Sequence, residues 1–263
     1  MPFEHAKSLR YYTFDSLNNL PLTHGLFTRQ GGVSEAPFAH LNVGSTVGDS
    51  LESVQQNIAH IFTTFNLPRV SLFDSRLVHG TNAIIAEDLR HAVQKGPPDA
   101  DIILTKDPEV TLFMRYADCL PLLIYDPVQQ AIGLAHAGWK GTVQRVAAKA
   151  VEEMEKQFGS NATDLIAAIG PGICAEHYEV GSNVISEVES AFGQAAANLL
   201  PSRNGSTHFN LFAANVLALK EVGVERIESS GICTASNTED WFSHRAEHGR
   251  TGRFGALLTL KKQ

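Results

Sequence analysis

His79, Cys119 and His136 are the residues whose types could do chemistry together. Two imidazoles and a thiolate are good zinc ligands, and three protein ligands plus one open place is the catalytic zinc pattern. The ligands are 40 and 17 residues apart, so no single loop supplies them. Each would come from a different strand end. Water on such an ion is acidic, with a pKa of roughly 7, and a thiol beside the metal is a thiolate. The same residues admit other chemistry. Cys119 could be a nucleophile, with His136 or His79 as its base. His and Cys also suit copper, though tight copper oxidases generally want more His and a Met. A closed structural zinc site would recruit His24, His40 or His244 as a fourth ligand. Asp118, beside Cys119, is placed to carry a proton or to orient a ligand histidine.

A second set is cationic. Arg29, Lys140 and Arg245 stand in glycine-containing or polar loops, and together they would hold an anion such as phosphate. Arg29-Gln-Gly-Gly-Val-Ser34 also suits a loop whose backbone approaches a ligand closely. The string Gly170-Pro-Gly-Ile-Cys-Ala175 fits a dinucleotide fingerprint, but Glu176-His-Tyr-Glu-Val180 follows it where a helix should open. An acidic ribose partner is also missing, because Ser182 to Leu200 reads as a helix. There is no Walker A loop, and the zinc deaminase motifs H-x-E and P-C-x-x-C do not occur.

The elements that position these residues centre on Met114 to Thr142. Two apolar runs, Leu120 to Tyr125 and Ala131 to Ala135, flank a turn that starts at Asp126-Pro127. Asp118-Cys119 precedes the first run and His136 closes the second. Strands are expected at Leu26 to Thr28, Ser71 to His79, Ile102 to Leu104, Val110 to Tyr116, Leu165 to Ile169, Val224 to Ile232 and Ala256 to Leu260. A loop is expected at Ala92 to Pro98. Helices are expected at Asp49 to Phe65, with Asp49 and Glu52 as a capping box, and at Lys140 to Phe158, ending at Gly159. Two more are expected at Ser182 to Leu200 and at Leu211 to Val222, the latter capped by Asn210. Helices and strands mix throughout without a repeat or linker, which predicts one α/β or α+β domain over 1–263.

The 263 residues are 43% hydrophobic, enough for a sizeable core. A net charge of −7 and pI near 5.9 argue against nucleic acid, which would need a basic stripe. No apolar run approaches the roughly 20 residues of a membrane span. The N-terminus MPFEHAKSLR has no apolar signal core. Three scattered cysteines make no disulfide framework. A cytoplasmic protein is expected, and its oligomeric state is not legible.

Several strings together resemble one family, the YfiH-like laccase-domain proteins, often labelled polyphenol oxidoreductases. They are Thr28-Arg-Gln-Gly-Gly-Val-Ser34, Leu41-Asn42, Val47-Gly-Asp49, Val78-His-Gly80, Ala117-Asp-Cys-Leu-Pro121 and Ala135-His-Ala-Gly-Trp-Lys-Gly141. Ile169-Gly-Pro-Gly172, Tyr178-Glu-Val180, Cys233-Thr234, Phe242-Ser-His-Arg245 and Thr251-Gly-Arg253 follow in family order. The resemblance implies a single layered α/β/β/α domain and zinc on His79, Cys119 and His136. It implies phosphorolysis of adenosine, inosine, guanosine and methylthioadenosine, with adenosine deamination in some members. Purine nucleosides and phosphate would be the partners, with Arg29, Asn42, Lys140 and Arg245 binding them and Asp118 and Cys119 catalytic. Copper-dependent polyphenol oxidation and hydrolytic editing of peptidoglycan precursors also travel with the family. Leu77 stands where the family usually has Gln, and Trp241-Phe-Ser-His-Arg245 replaces its Phe-Phe-Ser-Tyr-Arg.

Overall fold

The structure, a computed structural model, describes residues 3–87 and 96–262. Its strands, numbered in chain order, form two six-stranded sheets. The first runs β1 (Phe3–Ala6), β2 (Leu9–Tyr12), β3 (Leu22–Phe27), β14 (Phe254–Leu260), β7 (Thr111–Tyr116), β4 (Leu72–Phe73). The second runs β13 (Arg226–Ser229), β10 (Ile166–Ile169), β8 (Leu120–Asp126), β9 (Ala131–Ala137), β6 (Ile102–Thr105), β5 (Ala83–Ile85). A small hairpin, β11 (Ser202–Arg203) and β12 (Ser206–Thr207), stands apart.

Period-2 alternation makes the layers. In β8, Leu123 and Tyr125 face the core between the sheets, where they meet Leu112 and Met114 of β7 and Leu258 of β14. Leu120, Leu122 and Ile124 face the other way, onto helices. Those helices are α2 (Trp139–Val143), α3 (Val146–Phe158), α4 (Ser182–Phe192), α5 (Ala196–Leu199) and α6 (Leu211–Glu221). On the outer face of the first sheet, Phe113 and Leu257 pack against Val54, Ile58, Ile61 and Phe62 of α1 (Leu51–Thr64). The result is the expected α/β/β/α layering. With both faces covered, β8, β9 and β14 are buried at every residue. Among the described residues no helix is long and apolar enough to cross a membrane.

Several elements differ from expectation. Helix α1 is capped by Ser50, whose side chain accepts from the Ser53 amide, and not by Asp49. Asp49 turns instead to Ser34 and Asn42, and Glu52 bonds Gln56, so there is no capping box. Ser71 to His79 is not one strand. Only Leu72–Phe73 pairs with β7, and the chain then bends toward His79 at φ +60°. The helix expected from Lys140 to Phe158 breaks at Arg145, which sits at φ +64°. Gly193 at φ +52° divides the one expected from Ser182 to Leu200. Periodicity persists across both breaks because each half still turns an apolar face to the core on the helical side of the second sheet. Of the loop expected at Ala92 to Pro98, 92–95 lie outside the described residues.

Candidate metal centre and its pocket

The centre is built at the ends of three neighbouring strands, β8, β9 and β6. The β8–β9 hairpin pairs Pro121 with His136 and Leu120 with Ala137. The next step of that register sets Cys119 against Gly138. A Cβ on Gly138 would lie 2.8 Å from Cys119 Sγ and 3.2 Å from His79 Cδ2, so only glycine leaves this space open. On the other side of β9, Ile102 pairs with Ala135, and the His136 amide donates to the Asp101 carbonyl at 2.8 Å.

Asp101 brings in the third ligand. Its buried carboxylate accepts the backbone N–H groups of Val78 at 3.2 Å, His79 at 3.1 Å and Gly80 at 2.8 Å. It also bonds His136 Nδ1 at 3.0 Å. That bond leaves Nε2 of His136 as the free ligand atom, the usual carboxylate–histidine–metal arrangement. Burial pushes Asp101 up, but the His136 bond and the backbone donors outweigh it and hold its pKa below the ordinary carboxylate value.

The ligand atoms of His79, Cys119 and His136 lie within 4.8 Å of one another. Burial alone would raise the Cys119 thiol, but attraction to His136 and hydrogen bonds from both histidines bring it down to about 6. Burial would likewise lower His136, and the charges of Cys119 and Asp101 lift it to about 9. The pair therefore favours a thiolate at Cys119, an anionic ligand ready for a cation, and a metal entering here would displace the proton that His136 holds on Nε2. Among the described residues no fourth His, Cys, Asp or Glu joins this group. His24 is buried elsewhere and accepts the Phe14 amide at 2.8 Å. The donor set fits zinc with one place left open.

That open side faces a pocket of about 710 Å³. Its walls include Trp139 and Tyr178, and its cations include Arg115, Arg245 and Arg253 with His244 at the rim. Arg253 is deeply set, and its Nη1 donates to the Thr251 and Gly252 carbonyls. Arg115 bonds Asp74 and the Val43 carbonyl.

Of the sequence-derived binding residues, only Arg245 lines this pocket. Arg29 is spent elsewhere, bonding the Ala39 and Thr238 carbonyls and Glu247, with Phe242 under its guanidinium. Asn42 is fully buried and ties Gly44, Asp49 and the Arg253 amide. Lys140 is exposed beside Trp139 and is not part of the lining. Asp118 does line the pocket, but its carboxylate is engaged by Thr234 and Ser243 hydroxyls and the Arg245 amide, each at 2.7 Å. It anchors the Arg245 loop. Gly170 and Gly172 serve close packing, since Cβ atoms there would strike Leu26 and Leu120. Asp101, Arg115, Tyr178 and Arg253 were not singled out from sequence as site residues. The signal for Asp101 was available, as a charged residue heading an apolar strand beside the one that ends in His136.

Fold and site together define a layered α/β/β/α protein with a His–Cys–His group, a candidate metal site, at its strand ends. Residues 23–261 match the family model for multi-copper polyphenol oxidoreductase laccases, and the chain belongs to that family. It is 36% identical to a purine nucleoside phosphorylase of Deinococcus radiodurans, over 93% of this chain and 92% of that one. It is 34% identical to the purine nucleoside phosphorylase YlmD of Bacillus subtilis, over 93% and 91%. The solved structure of the hypothetical protein YfiH from Bacillus licheniformis superposes with a TM-score of 0.91 at 30% identity, covering 99% of each chain.

Proposed function

We propose that this protein is a zinc-dependent purine nucleoside phosphorylase, acting on adenosine, inosine, guanosine or methylthioadenosine. The observation that carries the reading is the pocket, where a candidate metal-ligand group shares one cavity with aromatic walls and the guanidinium groups of Arg76, Arg115, Arg245 and Arg253. Its size suits a nucleoside with phosphate. Relatives named purine nucleoside phosphorylase support the same chemistry.

The chain's own groups have definable parts. Arg245, Arg253 and Arg115 hold phosphate in place of the Arg29 and Lys140 expected from sequence. Tyr178 and Trp139 give the purine flat apolar faces. Holding phosphate against ribose C1′ makes the displacement effectively unimolecular, and the fixed cations stabilise its charge without reorganising. A phosphate oxygen bonds C1′ as the C1′–purine bond breaks, giving free base and ribose-1-phosphate. His79, Cys119 and His136 would hold the zinc, which supplies Lewis-acid charge at the pocket floor. Asp101 keeps His136 in the tautomer that can bind it. Deamination finds no support here, since the Asp118 carboxylate, the proton carrier it would use, already accepts three hydrogen bonds that hold the Arg245 loop.

Adenosine and inosine incubated with and without phosphate, on metal-analysed protein, test the reading. Phosphate-dependent release of base, lost on zinc removal and on Cys119→Ala, is expected. Turnover that survives chelation and is blocked by thiol alkylation would assign Cys119 as a hydrolase nucleophile instead. Copper in protein purified without added metal would favour polyphenol oxidation.

A further inference from the structure

A second group of metal-type side chains lies outside the pocket. The ligand atoms of Cys174, His177 and Cys233 fall within 4.8 Å of one another. Cys174 caps a 3-10 turn, Ala175–His177, which brings His177 back beside it. His177 Nδ1 is 3.3 Å from Cys174 Sγ, 3.7 Å from Cys233 Sγ and 3.3 Å from Ser236 Oγ. One ring nitrogen offers a single lone pair or a single proton. Three polar atoms converge on that one nitrogen, and the two sulfurs among them could share a cation with it. Zinc with tetrahedral ligands sets sulfur and imidazole nitrogen about 3.6 Å apart, and the observed 3.3 and 3.7 Å fall on either side of it.

We propose that Cys174, His177 and Cys233 bind a second Zn²⁺, with the Ser236 hydroxyl holding the water that completes it. Two thiolates and an imidazole select this ion over magnesium or calcium. The Cys174 amide donates to Cys233 Sγ at 3.2 Å, the kind of outer bond that supports a ligating thiolate. The two loops are already joined, since Gly172 donates to the Ile232 carbonyl at 3.1 Å and Thr234 to that of Gly172 at 3.0 Å. A solvent cleft of about 450 Å³, with Glu176 and Asp240 in its lining, gives the ion a way in. The site braces one pocket wall. Tyr178 follows His177 directly, and Thr234 follows Cys233 and donates to Asp118.

The test counts zinc and not turnover, so it stands apart from the phosphorylase reading. Chains carrying His79→Ala and Cys119→Ser are stripped, reloaded with Zn²⁺ under reducing conditions, desalted and measured by elemental analysis. One zinc per chain is expected. Adding His177→Ala or Cys233→Ser brings it to none, and the unaltered chain takes two. His177 is exposed, so its alanine variant is the one expected to fold if Cys233→Ser does not, and circular dichroism checks both. No zinc on the His79→Ala/Cys119→Ser chain overturns the site. So does zinc retained after His177→Ala and Cys233→Ser, or a Cys174–Cys233 disulfide found by peptide mapping of zinc-loaded protein.

Discussion

Asp101 and Gly138 carry the centre without being ligands. An Asn at 101 keeps the shape but loses the carboxylate that faces four donors. Asp101→Asn is expected to weaken zinc binding about 10–100-fold, measured by chelator competition. Unchanged affinity would mean that His136 needs no such partner. Gly138→Ala drives a methyl into Cys119 Sγ. Overpacking of this kind costs about 1–3 kcal/mol, and the thiolate must move, so zinc and phosphorolysis should be lost together. A Gly138→Ala chain with full zinc would remove Cys119 from the ligand set. His79, Cys119 and His136 were candidate ligands on residue type alone, and the fold does bring them together. Their carboxylate partner Asp101 heads an apolar run in the sequence, but it is 35 residues from His136, and only strand pairing brings the two together.

At the scale of elements, the apolar pattern predicts where helices lie better than where they stop. Val146, Ala147, Ala150 and Val151 do face the core as the periodicity requires. The break at Arg145 leaves no trace in that pattern. The cap of α1 makes a measurable case. Ser50→Ala removes one exposed cap and should cost about 1 kcal/mol. Asp49→Ala should cost more. It leaves the buried Ser34 hydroxyl and one of the two N–H groups of the Asn42 amide without their acceptor, at about 1–3 kcal/mol for each such group. Urea unfolding of both variants decides this, and equal losses would return Asp49 to a simple cap. The reason is topological. Asp49 joins the Arg29 loop to the irregular segment around Asn42, an interaction that no local spacing encodes.

The molecule as a whole carries a pH signature at His24, far from the metal centre. Burial, with Lys261 nearby, pushes its pKa down to about 4. Its Nε2 accepts the Phe14 amide, so the folded state needs the neutral ring. Between pH 6.5 and 4 the unfolded chain binds this proton and the folded one does not. Stability should therefore fall as pH drops through that window, by about 3 kcal/mol from this group, and stay level above it. His24→Gln keeps an acceptor for Phe14 and should flatten that part of the curve, read by denaturant unfolding from pH 4 to 7.5. An unchanged slope would show that His24 titrates normally.

Residue types and periodicity by themselves determined the mixed α/β class, the central hairpin, the four main helical segments and a His–Cys–His group, because these depend on side-chain chemistry and local spacing. Tertiary structure alone decided which charges meet the ligands. Arg29, Lys140 and Arg245 look equivalent in the chain, yet only Arg245 reaches the pocket: Arg29 is bonded to Ala39, Thr238 and Glu247, and Lys140 is exposed beside Trp139. The same holds for Cys174, His177 and Cys233, which share a site because β10 and β13 run parallel and deliver both loops to one edge. Sheet pairing joins residues far apart in the chain, and that pairing is a property of the folded molecule.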